Sequence, residues 1–321
     1  MNYYIKNIEY YLPEKIIDNQ YLSANAGIDI QFLEQKVGIK ERRIAAENEL
    51  SSDMAVSAGK ILFEKTDVKP EDIEMLILVT QNPDYRLPTT ACLVQNKLGL
   101  KKSVMAFDMN LGCSGWTYAV PLAGNFIKNG NFKNALIITS EQYSKIIDYK
   151  DKNTASIFGD AAAATLLSAC EDGFGVMDYN FGTDGSGADK LICYNSGVFK
   201  NNEKSNYLYM DGREIFKFTV VTIPQYINEL LKKNNLQMKD FKYVILHQAN
   251  QYMLKEMQKR LKVSDEQMVI EMEMFGNTVS STIPIAMKKL LKNSNLNKGD
   301  LVLFSGFGVG LSWANIIYIH Y

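Results

Sequence analysis

Residues 71–82, Glu71-Asp72-Ile73-Glu74-Met75-Leu76-Ile77-Leu78-Val79-Thr80-Gln81-Asn82, and residues 239–250, Lys239-Asp240-Phe241-Lys242-Tyr243-Val244-Ile245-Leu246-His247-Gln248-Ala249-Asn250, are one pattern written twice. Each is a polar turn running into a short, continuous apolar stretch, the mark of a strand buried on both faces. Each follows an amphipathic helical stretch (residues 54–64 and 216–232) and precedes a second one (residues 89–98 and 252–261). Further on, Gly112-Cys113 opens a predicted helix to about residue 128 that leads to a strand at 135–139. Gly276-Asn277 opens one to about residue 291 that leads to a strand at 301–305. Repetition of strand, helix, strand, helix, strand predicts an α/β fold of two halves, residues 1–170 and 171–321. Mostly parallel central sheets about a pseudo-twofold axis are expected, with a site between the halves. No Pro/Gly/Ser-rich linker divides them, and the glycine-rich residues 182–187 read as a loop, so one continuous core is expected.

Composition fits a chain of this size. Its 321 residues are 46% apolar and 22% charged, ordinary for a globular protein and unlike disordered, collagenous or coiled-coil chains. With 35 Lys+Arg against 36 Asp+Glu the net charge is −1, which gives no bulk attraction to nucleic acid or an anionic membrane. The longest apolar runs, such as residues 75–79 and 135–138, fall well short of the roughly 18 residues of a membrane span. The first residues lack a basic segment followed by an apolar one, so a soluble cytoplasmic protein is expected. Cysteines at 92, 113, 170 and 193 show no metal or redox spacing, and only two histidines exist, His247 and His320. No metal and no cofactor are expected.

Cys113 follows a strand at a predicted helix start, where unpaired N–H groups and partial positive charge lower a thiol pKa and favour a nucleophilic thiolate. Cys92, Cys170 and Cys193 read instead as ordinary buried or inert thiols. His247 ends the apolar run 243–246, at the carboxyl end of a central strand, where open α/β folds place ligands. Asn277 occupies the helix start equivalent to Cys113, a position that also suits an ordinary N-cap. The turn Ser305-Gly306-Phe307-Gly308-Val309-Gly310-Leu311 reads either as a tight hairpin or as backbone N–H groups offered to an oxyanion, and it does not match a phosphate-binding loop.

The motifs Gly112-Cys113-Ser114-Gly115, His247-Gln248-Ala249-Asn250, Gly276-Asn277-Thr278 and Gly306-Phe307-Gly308 resemble, in order and spacing, those of β-ketoacyl-acyl carrier protein synthase III in the thiolase superfamily. Residues 37–45 and 157–161 extend the resemblance over essentially the whole chain. It implies a duplicated, five-layered αβαβα fold, a homodimer, and condensation of an acyl starter, carried by coenzyme A or acyl-carrier protein, with malonyl-acyl carrier protein. By the same resemblance Cys113 takes the acyl group as a thioester, and His247 and Asn277 stabilise the enolate released by decarboxylation. The backbone N–H groups of Cys113 and Val309 form the oxyanion hole, although the family usually has glycine where this chain has Val309. Phe32, Lys36, Lys152 and Asn250 fall at coenzyme A-binding positions, Leu87 at a loop that completes the partner's acyl pocket, and Lys217, Lys259 and Arg260 on the carrier-protein docking surface.

Departures gather on the donor side: Phe32 and Lys152 stand where the family typically has Trp and Arg around the adenine, and Lys36 and Tyr252 stand at other usual Arg positions. Rival readings are an acyltransferase of the same fold that passes its acyl group to an amine or hydroxyl, and a cysteine hydrolase, because Cys, His and Asn in that chain order also occur in papain-like proteases. A non-catalytic partner subunit is disfavoured by the presence of Cys113, and a biosynthetic thiolase by the lack of a cysteine in residues 307–311.

Overall fold

A computed structural model describes residues 2–171, 173–293 and 295–321. The first half runs β1 (Asn2–Tyr11), β2 (Lys15–Asp18), α1 (Asn19–Ala26), α2 (Ile30–Phe32), β3 (Glu41–Ile44), α3 (Ser51–Glu64), β4 (Met75–Val79), α4 (Thr90–Lys97), β5 (Met105–Met109), α5 (Gly115–Lys128), β6 (Asn134–Glu141), α6 (Lys152–Ala155) and β7 (Ala161–Cys170). The second runs β8 (Gly175–Thr183), β9 (Leu191–Ile192), β10 (Tyr209–Met210), α7 (Gly212–Lys233), β11 (Tyr243–Leu246), α8 (Gln251–Leu261), α9 (Thr282–Asn293), β12 (Leu301–Gly308) and β13 (Ser312–Ile319). No helix among the described residues is long and apolar enough to cross a membrane.

The strands form two central sheets, ordered β1-β7-β6-β4-β5 and β8-β13-β12-β11, each drawn from one half of the chain, and two small two-stranded sheets, β2-β3 and β9-β10. The apolar runs that mark the repeat become β4, with all five residues buried, and β11. Helices α3 and α4 cover the outer face of the first sheet through Met54, Ala58, Leu62 and Val94, and α7 and α8 cover the outer face of the second. Along α8 the buried residues are Met253, Leu254, Met257 and Leu261, helical spacing that leaves Lys259 and Arg260 outward. Helices α5 and α9 fill the layer between the sheets. There Trp116 of α5 donates from Nε1 to Thr165 Oγ1 of β7 at 2.9 Å and packs edge-on against Phe304 of β12, 5.1 Å between ring centroids. The layers are therefore helix, sheet, helix, sheet, helix, the expected αβαβα arrangement.

Three details differ from expectation. The sheets are mixed rather than mostly parallel: β4 runs parallel to β5 and β6, but β7 is antiparallel to both β1 and β6. In the second sheet only β11 and β12 are parallel, because β12 and β13 are joined through residues 309–311, and a hairpin can only pair its strands antiparallel. Among the described residues the second half also has no full counterpart of β5; an isolated parallel bridge, Val244 to Met268, stands in its place. Finally, Cys113 and Asn277 precede their helices rather than opening them: α5 begins at Gly115, and α9 begins at Thr282 after a tight turn at Val279–Ser281.

Candidate active site

Cys113 lies in the turn between β5 and α5, buried, with the hairpin from β12 to β13 laid against it. The close approach requires glycine: a Cβ on Gly306 falls 2.4 Å from Thr117 Oγ1 and 2.8 Å from the Cys113 carbonyl, and one on Gly308 falls 3.0 Å from Sγ. The residues 305–311 thus form the tight hairpin that one reading of their sequence expects. The nearby backbone N–H groups of Cys113 and Val309 favour the charged form of its sulfur. Burial outweighs these donors, and the Glu141 carboxyl adds to it, so the thiol is pushed up to about 12. This corrects the expectation of a lowered thiol pKa: Cys113 sits ahead of the helix in a dry site, where losing water costs a thiolate more than two N–H groups return.

His247 follows β11 directly, where its N–H donates to the Ser305 carbonyl of the paired strand at 2.8 Å. Its ring stands edge-on to Phe307, centroids 5.7 Å apart, and its Nδ1 lies 2.8 Å from Thr282 Oγ1. Burial lowers its pKa to about 3, so the imidazole is neutral at physiological pH. Asn277 is fixed by its N–H to the Ile157 carbonyl at 2.9 Å and by the Val279 N–H donating to its Oδ1, also at 2.9 Å. Its Nδ2 takes no partner among the described residues and remains a free donor. The Val279 bond depends on a buried β-branched residue at φ 55°, a left-handed conformation that costs on the order of 1–3 kcal/mol and is characteristic of functional sites.

Cys113, His247 and Asn277 line one cavity of about 470 Å³, walled by Tyr143, Phe158, Ile215 and Phe307. A nucleophile, a neutral imidazole, an amide donor and two nearby backbone N–H groups in an apolar chamber suit the formation and breakdown of acyl intermediates, in which charge grows on oxygen.

Residues 107–185 match the family described as 3-oxoacyl-[acyl-carrier-protein] synthase III, and residues 231–319 match its C-terminal counterpart. The β-ketoacyl-[acyl-carrier-protein] synthase III of Caldanaerobacter subterraneus is 36% identical over 313 residues, covering 96% of this chain and 94% of that one. The chain belongs to the β-ketoacyl-acyl carrier protein synthase III family. The Sulfurimonas denitrificans member is 37% identical over 97% of this chain and 96% of its own. The crystal structure of the Thermus thermophilus synthase III superposes with a TM-score of 0.92 at 33% identity, over 99% of each chain.

The synthase III resemblance singled out further positions, and the structure sorts them. Phe32, Lys36 and Asn250 line the cavity with the three central residues, whereas Lys152 is exposed at the start of α6, outside the lining. Asn250 also caps α8, its Oδ1 accepting from the Met253 N–H at 2.9 Å. Lys36 Nζ sits 5.3 Å from the centroid of Tyr252, which stacks on Phe216. Lys217, Lys259 and Arg260 are exposed on α7 and α8, and Lys259 pairs with Glu256 at 2.8 Å. Leu87 is 83% exposed and does not line its own chain's cavity. Sequence reasoning missed Glu141, Val279 and Thr282. A charged residue closing the apolar run of β6 was the available signal for Glu141; Val279 and Thr282 lie beside Asn277 and carry none.

Proposed function

We propose that the chain is an acyltransferase that joins an acyl starter to malonyl-acyl carrier protein with loss of carbon dioxide, giving 3-oxoacyl-acyl carrier protein. The observation that carries this reading is the gathering of Cys113, His247 and Asn277 in one apolar cavity. The relatives' name, β-ketoacyl-[acyl-carrier-protein] synthase III, agrees with it. Cys113 attacks the donor thioester; its S–H bond breaks, a new S–C bond forms, and the donor thiol leaves with the proton. The N–H groups of Cys113 and Val309 hold the oxyanion of that step. Malonyl thioester then loses carbon dioxide, and the electron pair of the broken C–C bond passes into an enolate whose oxygen takes hydrogen bonds from His247 and the free Asn277 amide. Neutral donors suit this step, because they bind growing negative charge without first having to be desolvated as ions. The enolate carbon attacks the Cys113 thioester, a C–C bond forms, and the sulfur leaves to regain a proton.

Around this centre we place the donor thioester at Phe32, Lys36 and Asn250, and the carrier protein against Lys217, Lys259 and Arg260. The halves at 1–170 and 171–321 act as the two faces of one site. A homodimer is favoured by β5, an edge strand whose Met105 is exposed and whose Phe107 and Met109 are only partly covered; an unpaired apolar edge invites pairing with a second copy. Leu87, exposed and apolar, is then free to enter the partner's cavity. Cys92, Cys113 and Cys193, which form no disulfide among the described residues, favour a reducing compartment, the cytoplasm.

Peptide mass spectrometry after incubation with acyl donors tests the reading: one acyl group at Cys113, lost in Cys113→Ala. His247→Ala and Asn277→Ala should suppress malonyl decarboxylation more than acylation. Labelling of Cys92, Cys170 or Cys193 with Cys113→Ala still active overturns it.

A further inference from the structure

The Thr282 hydroxyl has one proton and two neighbours that could take it, the Val279 carbonyl at 3.0 Å and His247 Nδ1 at 2.8 Å. The two choices have opposite consequences. If the proton goes to Val279, Nδ1 must itself be the donor to Thr282, and the neutral ring presents a bare Nε2, an acceptor, to the cavity. If it goes to Nδ1, the ring's single proton sits on Nε2, and the cavity meets a donor.

The Val279 carbonyl already accepts the backbone N–H of Thr282, so it is satisfied without the hydroxyl. Among the described residues Nδ1 has no other polar partner, and Nε2 has none. We propose that Thr282 is a positioning residue whose hydroxyl donates to His247 Nδ1 and so fixes the imidazole proton on Nε2, facing the substrate. Val279 holds the device in place: its left-handed backbone points its N–H at Asn277 Oδ1 and its carbonyl at Thr282, so one residue aligns both donors of the site. The inference rests on the proposed function for its catalytic meaning, because only an enolate or carbonyl oxygen in the cavity needs an N–H there. The tautomer itself is a property of the resting protein.

Because the chain has only two histidines, the tautomer can be read directly. In protein labelled with 15N-histidine and carrying His320→Gln, the His247 ring should show a protonated Nε2 and an Nδ1 that accepts a hydrogen bond. Thr282→Val should move the Nδ1 resonance to its unbonded position and Thr282→Ser should restore it. In the otherwise unsubstituted chain, Thr282→Val should lower malonyl decarboxylation about tenfold, the size of one ordinary hydrogen bond, leave acylation of Cys113 unchanged, and be rescued by Thr282→Ser. A proton on Nδ1, or resonances that do not move in Thr282→Val, overturns the inference. So does full decarboxylation by Thr282→Val. The proposed function falls with it only if His247→Ala also decarboxylates at full rate.

Discussion

Ser280 Oγ donates to Glu141 Oε1 at 2.9 Å, tying the end of a strand in the first half to the turn before α9 in the second, beside the nucleophile. The Gln81 N–H donates to the other oxygen at 3.0 Å. Despite both bonds, burial pushes the Glu141 carboxyl up to about 8 from an ordinary 4.5. Between those values the folded chain keeps a proton that the unfolded chain releases, so this group's contribution to stability is full below about 4.5 and declines as pH rises through 8. Glu141→Gln removes the dependence. Relative to the native chain it should gain stability on the order of 2–5 kcal/mol between pH 5 and pH 9 in urea unfolding. A difference that stays constant from pH 5 to pH 9 shows instead that the carboxyl is ionised throughout and held by its two donors.

The same dry environment governs Cys113. A thiol pushed up to about 12 reacts with iodoacetamide in proportion to a small thiolate fraction. Alkylation of Cys113 should therefore rise about tenfold per pH step through pH 9 without levelling. At pH 7.5 the exposed Cys92 should label first. An acyl donor should reverse that order, because its carbonyl oxygen occupies the N–H groups of Cys113 and Val309 as the bond forms. Peptide mapping by mass spectrometry measures both orders, and a plateau at Cys113 below pH 8 contradicts the burial argument.

The glycines against Cys113 make different demands. Gly306→Ala drives a methyl group into a backbone carbonyl and a buried hydroxyl and should destabilise the fold by about 1–3 kcal/mol. Gly308→Ala reaches only Cys113, and should fold while losing most acylation, because the methyl group takes the space beside Sγ that an acyl group needs. Equal loss of stability in the two, measured by thermal unfolding, removes the distinction.

Much of this was legible in the chain because the repeat writes each half twice, and buried strands such as residues 75–79 and 243–246 are continuous apolar runs that loops do not imitate. Cys113, His247 and Asn277 were legible through their places in that repeat, and the structure brings all three into one cavity. What was not legible is set by approach between distant segments. Burial of Cys113 depends on a hairpin nearly two hundred residues away in the chain, so its raised pKa has no local sequence signal. Thr282 owes its meaning to a contact with His247 across 35 residues, and the left-handed backbone of Val279 runs against the preference of a β-branched side chain.

Assembly gives a further test. If a second copy pairs along β5 and delivers Leu87 to its partner's cavity, light scattering should give a dimer, and Phe107→Lys on that edge should shift it toward monomer with loss of activity. Leu87→Phe should leave the dimer intact and shift the preferred acyl chain length, since a larger ring changes the room at the acyl end. A monomeric native chain removes both expectations.

The donor is decided at the cavity mouth. An aromatic ring and a cation gripping an adenine contribute about 0.5–2 kcal/mol by cation–π attraction alone. Here Phe32 lines the cavity but is 40% exposed, Lys152 lies outside the lining, and Lys36 is over the ring of Tyr252. A lysine is also a point charge that cannot stack as a planar guanidinium does. On the proposed function the grip on coenzyme A would be weaker at both of its usual contacts, whereas a carrier protein would bring its arm without an adenine and dock by the surface proposed on α7 and α8. We therefore expect acylation of Cys113 to be faster from an acyl-carrier protein than from the matched acyl-coenzyme A. The double substitution Phe32→Trp with Lys152→Arg should lower the KM for acyl-coenzyme A about tenfold while leaving the carrier-protein donor unaffected. Single-turnover acylation with both donors measures this, and a clear preference for coenzyme A that Phe32→Ala weakens shows that Phe32 and Lys152 already form a working clamp.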